Sequence, residues 1–507
     1  MPRQVAFRQQ IKINTMNSSV TRRSFQLHYE HYGFIVVTLL SLVLIAFPSY
    51  SISAISHVTQ TFVERFGLSF LLFSSATIFV CLLIAMSPIG NIKLGGQAAK
   101  VEFSTFSWIT MLFTCGMGSG LVFWGVAEPT SHFAHMPAFG ISPADKIDNA
   151  LALTYFHWGL HAWCIYALAG LTIAWFTFNR GRPLFISSSV NAESKRGLFV
   201  TMDWLAIVAI LFGVAGTFAN TIALIQAGVE NIFGVNADSV LFRYSIIFVI
   251  SICFTGSSLL GLNKGIKRLS QLNIVLLLVM MMFVVMSFDP ITILNRVLSS
   301  TARYVEILPD VSFSLAPDNE QWSVGWTIIY IVWWIAWAPF VGPFIARISQ
   351  GRTVRQFILC VALVPSLASV LWFTVFGGTA LEQASASLII DAVDLDYTQG
   401  LFLFLDQLPH GSMIACLAIV LLITFIITSA DSALLVCGML DGKTGKRNTM
   451  LWAIVLLGLS LSLIYINDVN LNKQVAIAGA LPFTFVLIVQ IVSMLNDMVK
   501  QYQSSTA

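Results

Sequence analysis

The chain has 507 residues, 57% of them hydrophobic and 10% charged, with a mean hydropathy of +0.82. That composition excludes a soluble globular domain, and a net charge of +3 gives no reason to expect a nucleic-acid partner. The seven cysteines, at 81, 115, 164, 253, 360, 416 and 437, fall inside apolar runs without paired metal spacing, which argues against both a disulfide framework and a cysteine metal site.

Apolar runs of about 20 residues, each able to cross roughly 30 Å of hydrocarbon, stand near 33–50, 66–88, 105–127, 149–176, 203–229, 240–261, 271–288, 324–346, 356–378, 412–438, 450–466 and 474–496. The expected fold is therefore an all-α polytopic membrane protein with twelve transmembrane helices. With both termini on the cytoplasmic face, only Arg65, Lys146, Arg243, Arg296, Arg303 and Lys473 of the 27 basic residues fall outside, as the positive-inside rule requires. Residues 1–30 read as a polar, basic cytoplasmic arm able to touch membrane lipid. No cleavable signal peptide is visible. Residues 51–65 are expected along the outer surface, and Ile291–Leu308 as an interfacial amphipathic helix. The division is 1–30 arm, 31–104 two peripheral spans, 105–290 first set of five spans, 291–323 periplasmic connection, 324–497 second set, and 498–507 short tail.

The third span carries Gly116, Gly118 and Gly120, where a helix is weakest short of proline. An unwound backbone inside a bilayer is tolerated only beside protein or a water-filled cavity, so this stretch is expected to be a broken helix at a binding site. Five spans later Trp333-Trp334-Ile335-Ala336-Trp337-Ala338-Pro339 interrupts the eighth. Breakers at matching positions of two halves point to an inverted repeat of five plus five spans. In the fourth span, at about 100° per residue, Trp163 and Tyr166 are neighbours, while Trp158 lies about 140° from Trp163 and about 80° from Tyr166. Such rings suit a quaternary ammonium through cation–π attraction; the plainer alternative is packing.

His157 and His161 have the i, i+4 spacing of a metal pair, but no third ligand stands nearby. The tenth span ends in Thr428-Ser429-Ala430-Asp431-Ser432, hard oxygen ligands for an alkali cation or, alternatively, helix back-bonding hydroxyls. Asp431 reads as a structural partner near a helix end. A serine nucleophile at Ser429 lacks a base and an oxyanion site. Glu128-Pro129 is expected to close the third helix, with proton relay as the sharper alternative.

Together with the Gly261-Leu262-x-Lys264-Gly265 loop and Ala346-Arg347-Ile348-Ser349-x-Gly351-Arg352, these motifs resemble the betaine/choline/carnitine transporter family over nearly the whole chain. The resemblance implies a homotrimer of twelve-span protomers, each with a LeuT-like core of two inverted five-helix repeats. It also implies an ammonium cage of Trp158, Trp163, Tyr166 and Trp334 with Trp337 on the same path, and the backbone of Met117, Gly118, Ser119 and Gly120 meeting a substrate carboxylate. Sodium, the coupling ion, would lie among the carbonyls of Thr114, Met117 and Phe425 and the hydroxyls of Thr428 and Ser429. No other cofactor is expected.

Proton-coupled choline carriers of the family have Asp where this chain has Gly120, and sodium-independent exchangers have Arg where it has Asn273. The expectation is thus a secondary active transporter, not an enzyme. It would import glycine betaine or a related quaternary-ammonium or sulfonium zwitterion by sodium symport across the bacterial inner membrane. The alternatives are a proton-coupled choline carrier and a sodium-independent carnitine/betaine exchanger. The short tail puts activation by a long basic C-terminal helix in doubt.

Overall fold

The computed structural model describes residues 46–137, 146–190, 196–262, 264–316, 320–442, 445–478 and 480–506, with scattered positions of 35–44. The arm 1–30 and much of the first expected span lie outside the described residues. Residues 52–507 form one compact unit.

The described residues hold helices and turns without a strand, apart from one isolated bridge between Lys93 and Thr353. The principal helices in chain order are α1 (Pro48–Met86), α2 (Thr105–Met117), α3 (Gly120–His135), α4 (Lys146–Trp158), α5 (Leu160–Ala174) and α6 (Arg196–Phe233). They continue with α7 (Val240–Leu260), α8 (Ile266–Ser287), α9 (Pro290–Phe313), α10 (Ile329–Ile348), α11 (Val354–Phe373), α12 (Gly411–Leu440), α13 (Lys446–Ile466), α14 (Val469–Ala478) and α15 (Ala480–Thr506). Among the described residues ten stretches are long and apolar enough to cross a membrane, α4 and α5 together forming one of them, and the bent pair α2–α3 makes eleven. These match the expected spans from the second to the twelfth.

Burial sorts these spans. The apolar stretches of Lys146–Asn179 and Glu320–Ile348 are 94% buried within the protein, whereas those of α7 and α8 are 28% buried. The outer pair instead exposes Phe248, Val249, Ile252, Leu278, Val279 and Met282. Such apolar faces suit lipid, and the inner helices carry the chemistry.

Several boundaries differ from the sequence expectation. Residues 51–65 belong to the continuous helix α1 instead of lying on a surface. Pro129 does not close the third span: it stands in the interior of α3, which continues to His135. The last span begins later than 474; α14 precedes it, and α15 continues through most of the expected tail to Thr506. Asp431 lies well inside α12, not near its end. The helix expected over 291–308 does form as α9, started by Asp289, whose carboxylate accepts from the amides of Ile291 and Thr292.

The connection before α2 is tied to the loop after α10. Leu94 N–H donates to Arg352 O, Gly351 N–H to Leu94 O and Val354 N–H to Ile92 O, each at 2.9 Å. The Arg352 guanidinium lies 4.6 Å from the Trp108 ring centroid, and Arg347 pairs with Glu102 at 2.6 Å.

The fold turns on the break between α2 and α3, a bend of 58°. Gly118 there has φ 48° and ψ −149°, backbone that a side chain makes costly. A Cβ on it would also stand 3.0 Å from Ser429 Oγ. Gly118→Ala is expected to destabilise the protein by about 1–2 kcal/mol, read as a lower thermal midpoint in detergent; an unchanged midpoint would mean the turn tolerates a side chain.

Candidate functional site: an aromatic pocket at a broken helix

Each glycine of the break faces a different neighbour. A Cβ on Gly116 would come 2.5 Å from the Trp163 ring, and one on Gly120 would come 3.2 Å from the Trp158 ring. The absent side chains thus let two indoles close on the backbone from one side while Ser429 meets it from another.

The indoles are aimed by a second interruption. Sequence periodicity treats 149–176 as one uniform helix, but Gly159, at φ −100° and ψ −132°, separates α4 from α5. A Cβ at Gly159 would lie 2.4 Å from the Tyr155 carbonyl oxygen. The kink invalidates the simple angular count and swings Trp158 onto Trp334, with centroids 5.1 Å apart and planes at 71°. Tyr166 meets Trp334 edge-on at 6.0 Å and Trp163 at 5.4 Å. Trp334 is fixed by its indole N–H donating to the carbonyl of His157 at 2.8 Å.

The residues that line the pocket include Met117, Gly120, Trp158, Tyr330, Trp334 and Trp337. Its free volume of about 20 Å³ holds little more than one water-sized sphere, so the rings stand closer together than an onium ligand requires. Of the expected cage, Trp158, Trp334 and Trp337 line the pocket, whereas Trp163 lies behind Gly116 and touches the cage through Tyr166. Among the described residues the Tyr166 hydroxyl and the Trp337 indole N–H have no partner.

Ser119 bonds to Thr221 at 2.6 Å, attaching the break to α6. On the other flank, the Asn273 amide donates to Thr428 Oγ1 at 2.9 Å, and Thr428 donates to the carbonyls of Thr424 and Phe425. Thr114 donates to Ser270 at 2.8 Å as well as to Thr110 O. The end of α2 leaves carbonyls of its last turn, Thr114 to Met117, without helical amides. The Ser429 hydroxyl stands beside the next residue, Gly118. Asp431 accepts a hydrogen bond from Ser257, which makes it an interhelical strut between α12 and α7.

The periodicity did not reveal the polar knot behind the cage. Glu128 Oε2 accepts from Trp158 Nε1 at 2.7 Å and from the Tyr330 hydroxyl. Its Oε1 lies 2.8 Å from His157 Nδ1 and 3.2 Å from His132 Nε2. His157 Nε2 in turn meets Thr327 at 3.0 Å. His157 and His161 do not converge as a pair: each is a buried imidazole with its own hydrogen bonds, His161 to Ser75 and Ser312. Two signals pointed to this knot: a carboxylate in midspan followed by His132 one turn later, and Tyr330 one turn before Trp334.

Further along the same aromatic shelf, Trp326 stacks on Tyr330 at 6.2 Å, and the Lys473 ammonium stands 4.3 Å from the Trp124 ring and 4.8 Å from Tyr397. The sequence places Lys473 simply outside the membrane; its capture by aromatic faces follows from α14 packing against α6 and α10.

A multi-pass helical membrane protein whose broken helix meets an aromatic pocket has the form of a solute carrier. The profile of the betaine/carnitine/choline family transporters matches residues 31–503. The glycine betaine transporter OpuD of Bacillus subtilis is 36% identical over 464 residues, covering 89% of this chain and 90% of that relative. A glycine betaine transporter of Acinetobacter baylyi is 34% identical, covering 90% and 70%. A glycine betaine/proline/choline/ectoine transporter of Vibrio parahaemolyticus is 33% identical, covering 95% and 89%. The chain belongs to the betaine/carnitine/choline transporter family, and it is a transporter and not an enzyme.

Removing the Trp334 indole takes away its three ring contacts, with Trp158, Tyr166 and Tyr330. Trp334→Leu is expected to weaken binding of a quaternary ammonium ligand at least about tenfold, consistent with a desolvated cation–π contact of about 2 kcal/mol, with normal membrane insertion. Wild-type affinity in that variant would remove Trp334 from the site.

Proposed function

We propose that the protein imports a quaternary-ammonium or tertiary-sulfonium zwitterion, glycine betaine being the leading candidate, by sodium symport and alternating access. The observation that carries this reading is the set of contacts at the α2–α3 break. Gly118 abuts the Ser429 hydroxyl, and Gly116 and Gly120 abut the indoles of Trp163 and Trp158. An ion that orders this turn therefore also orders the floor of the aromatic pocket. Its differential affinity for two conformations is then the coupling free energy.

Each end of a zwitterion has a counterpart. Once the rings separate, the methyl shell would lie among Trp158, Tyr166, Trp334 and Trp337. The carboxylate would face the backbone of Met117 to Gly120, where the restarting α3 offers free amides and the positive end of its dipole. Sodium would take the carbonyls of Thr114, Met117 and Phe425 with the hydroxyls of Thr428 and Ser429, all neutral oxygen donors.

Two features favour sodium over the family's other modes. Trp158 occupies the space beside Gly120, so an acid there would displace the ring. Asn273 gives Thr428 a neutral amide in place of a fixed positive charge. The glycine betaine carriers among the relatives favour the same substrate class. The remaining architecture of the proposal is a homotrimer in the bacterial inner membrane, each protomer with twelve spans, two inverted five-helix repeats and cytoplasmic termini.

Uptake of labelled glycine betaine into potassium-loaded proteoliposomes should require an inward sodium gradient; equal uptake without sodium would replace symport by exchange. Ser429→Ala should raise the half-saturating sodium concentration about tenfold or more, as loss of one ligand worth roughly 1.4 kcal/mol implies. An unshifted sodium dependence would take Ser429 out of the ion site.

A further inference from the structure

Glu128 is fully buried, and its only ion-pair partners among the described residues are two histidines. No Lys or Arg is paired with it there. Its carboxylate is nonetheless bonded to the cage: Oε2 accepts the indole N–H of Trp158 and the phenol O–H of Tyr330, both rings of the pocket lining. The two rings contact each other at 5.6 Å and both contact Trp334, at 5.1 and 5.9 Å. Hydrogen-bond donation to an anion moves electron density into the donor ring, and an aromatic face attracts a cation through its negative quadrupole. A carboxylate placed behind two such rings therefore strengthens the faces that look into the pocket. It does so without occupying the pocket or competing for the ammonium methyls.

We propose that Glu128 is a specificity-determining residue. Its buried carboxylate, acting through Trp158 Nε1 and the Tyr330 hydroxyl, makes the cage discriminate a permanent onium cation from a neutral group of the same shape. This rests on the onium-carrier reading above and adds the source of the cage's charge selectivity. The histidines define the competing arrangement. His132 Nε2 and His157 Nδ1 converge on Oε1 and lie 3.3 Å from each other, so a proton held between them and the carboxylate would neutralise the charge. In that case Glu128 would be a strut alone. Lys473 is the other cation on this shelf, and it lies over Trp124, Trp326 and Tyr397.

The test compares purified wild-type protein with Glu128→Gln, which keeps the size and an acceptor oxygen but removes the charge. Dissociation constants are measured calorimetrically, in saturating sodium, for glycine betaine and for 3,3-dimethylbutanoate, in which a tert-butyl group replaces trimethylammonium. The wild type should prefer the onium. In Glu128→Gln the preference ratio should fall about tenfold or more, equivalent to about 1.4 kcal/mol, chiefly through weaker binding of glycine betaine.

An unchanged ratio, or an equal loss for both ligands, overturns the proposal and leaves Glu128 as a strut. Should Glu128→Gln not fold, Trp158→Phe keeps an aromatic face while cutting the indole bond to Oε2, and retention of the full ratio there overturns the proposal equally. The two readings fail differently. A wild type without preference for the onium removes the carrier reading and this inference with it, whereas preference kept in both wild type and Glu128→Gln removes only the role of Glu128.

Discussion

The structure depends on one constraint: a backbone that leaves its helix inside an apolar medium needs other partners for its polar groups. At Gly118 the chain bends by 58° between α2 and α3, and everything around the bend meets that need or exploits it. Ser119 is held by Thr221 of α6, Ser429 of α12 reaches the turn, and indoles from α4 and α5 close over the flanking glycines. Four separate helices thereby converge on four residues. A rearrangement of any one of them is felt at the break.

The aromatic pocket follows a related rule. Burying a large indole is favourable, but its N–H needs an acceptor. Trp334 donates to the His157 carbonyl and Trp158 to Glu128, so the rings are positioned by their polar edges. Thr327 continues the network through His157, from the π-turn Val324–Ile328 that leads into α10. A π-turn inside a span is a local excess of one residue, and such turns gather at functional sites. Here it brings Trp326, Thr327 and Tyr330 to the knot around Glu128.

The pocket is contracted in this conformation, and the 92–105 connection is strapped to the 347–354 loop by backbone bonds, a cation–π contact and the Arg347–Glu102 pair. These contacts join the approach to the broken helix with the end of the helix that carries Trp334 and Trp337. Movement of either segment is therefore mechanically linked to both walls of the pocket.

The sequence by itself determined the membrane class, the succession of spans, the break at the glycine run and the aromatic character of the site. These are set by composition and by local spacing: apolar length, glycine position and the nature of the rings are properties of contiguous residues. Even there, uniform helical periodicity misjudged the ring angles, because Gly159 kinks the helix where a Cβ would strike the Tyr155 carbonyl. Only the tertiary structure decided which rings face the pocket, that Trp163 stands behind Gly116, and that Glu128 is a hub instead of a helix stop. It also decided that Lys473, outside the membrane by sequence count, ends among Trp124, Trp326 and Tyr397. The reason is physical. Residues from α3, α4 and α10 share one carboxylate across some 200 positions of chain, and no local pattern records which buried donor a buried acceptor will meet.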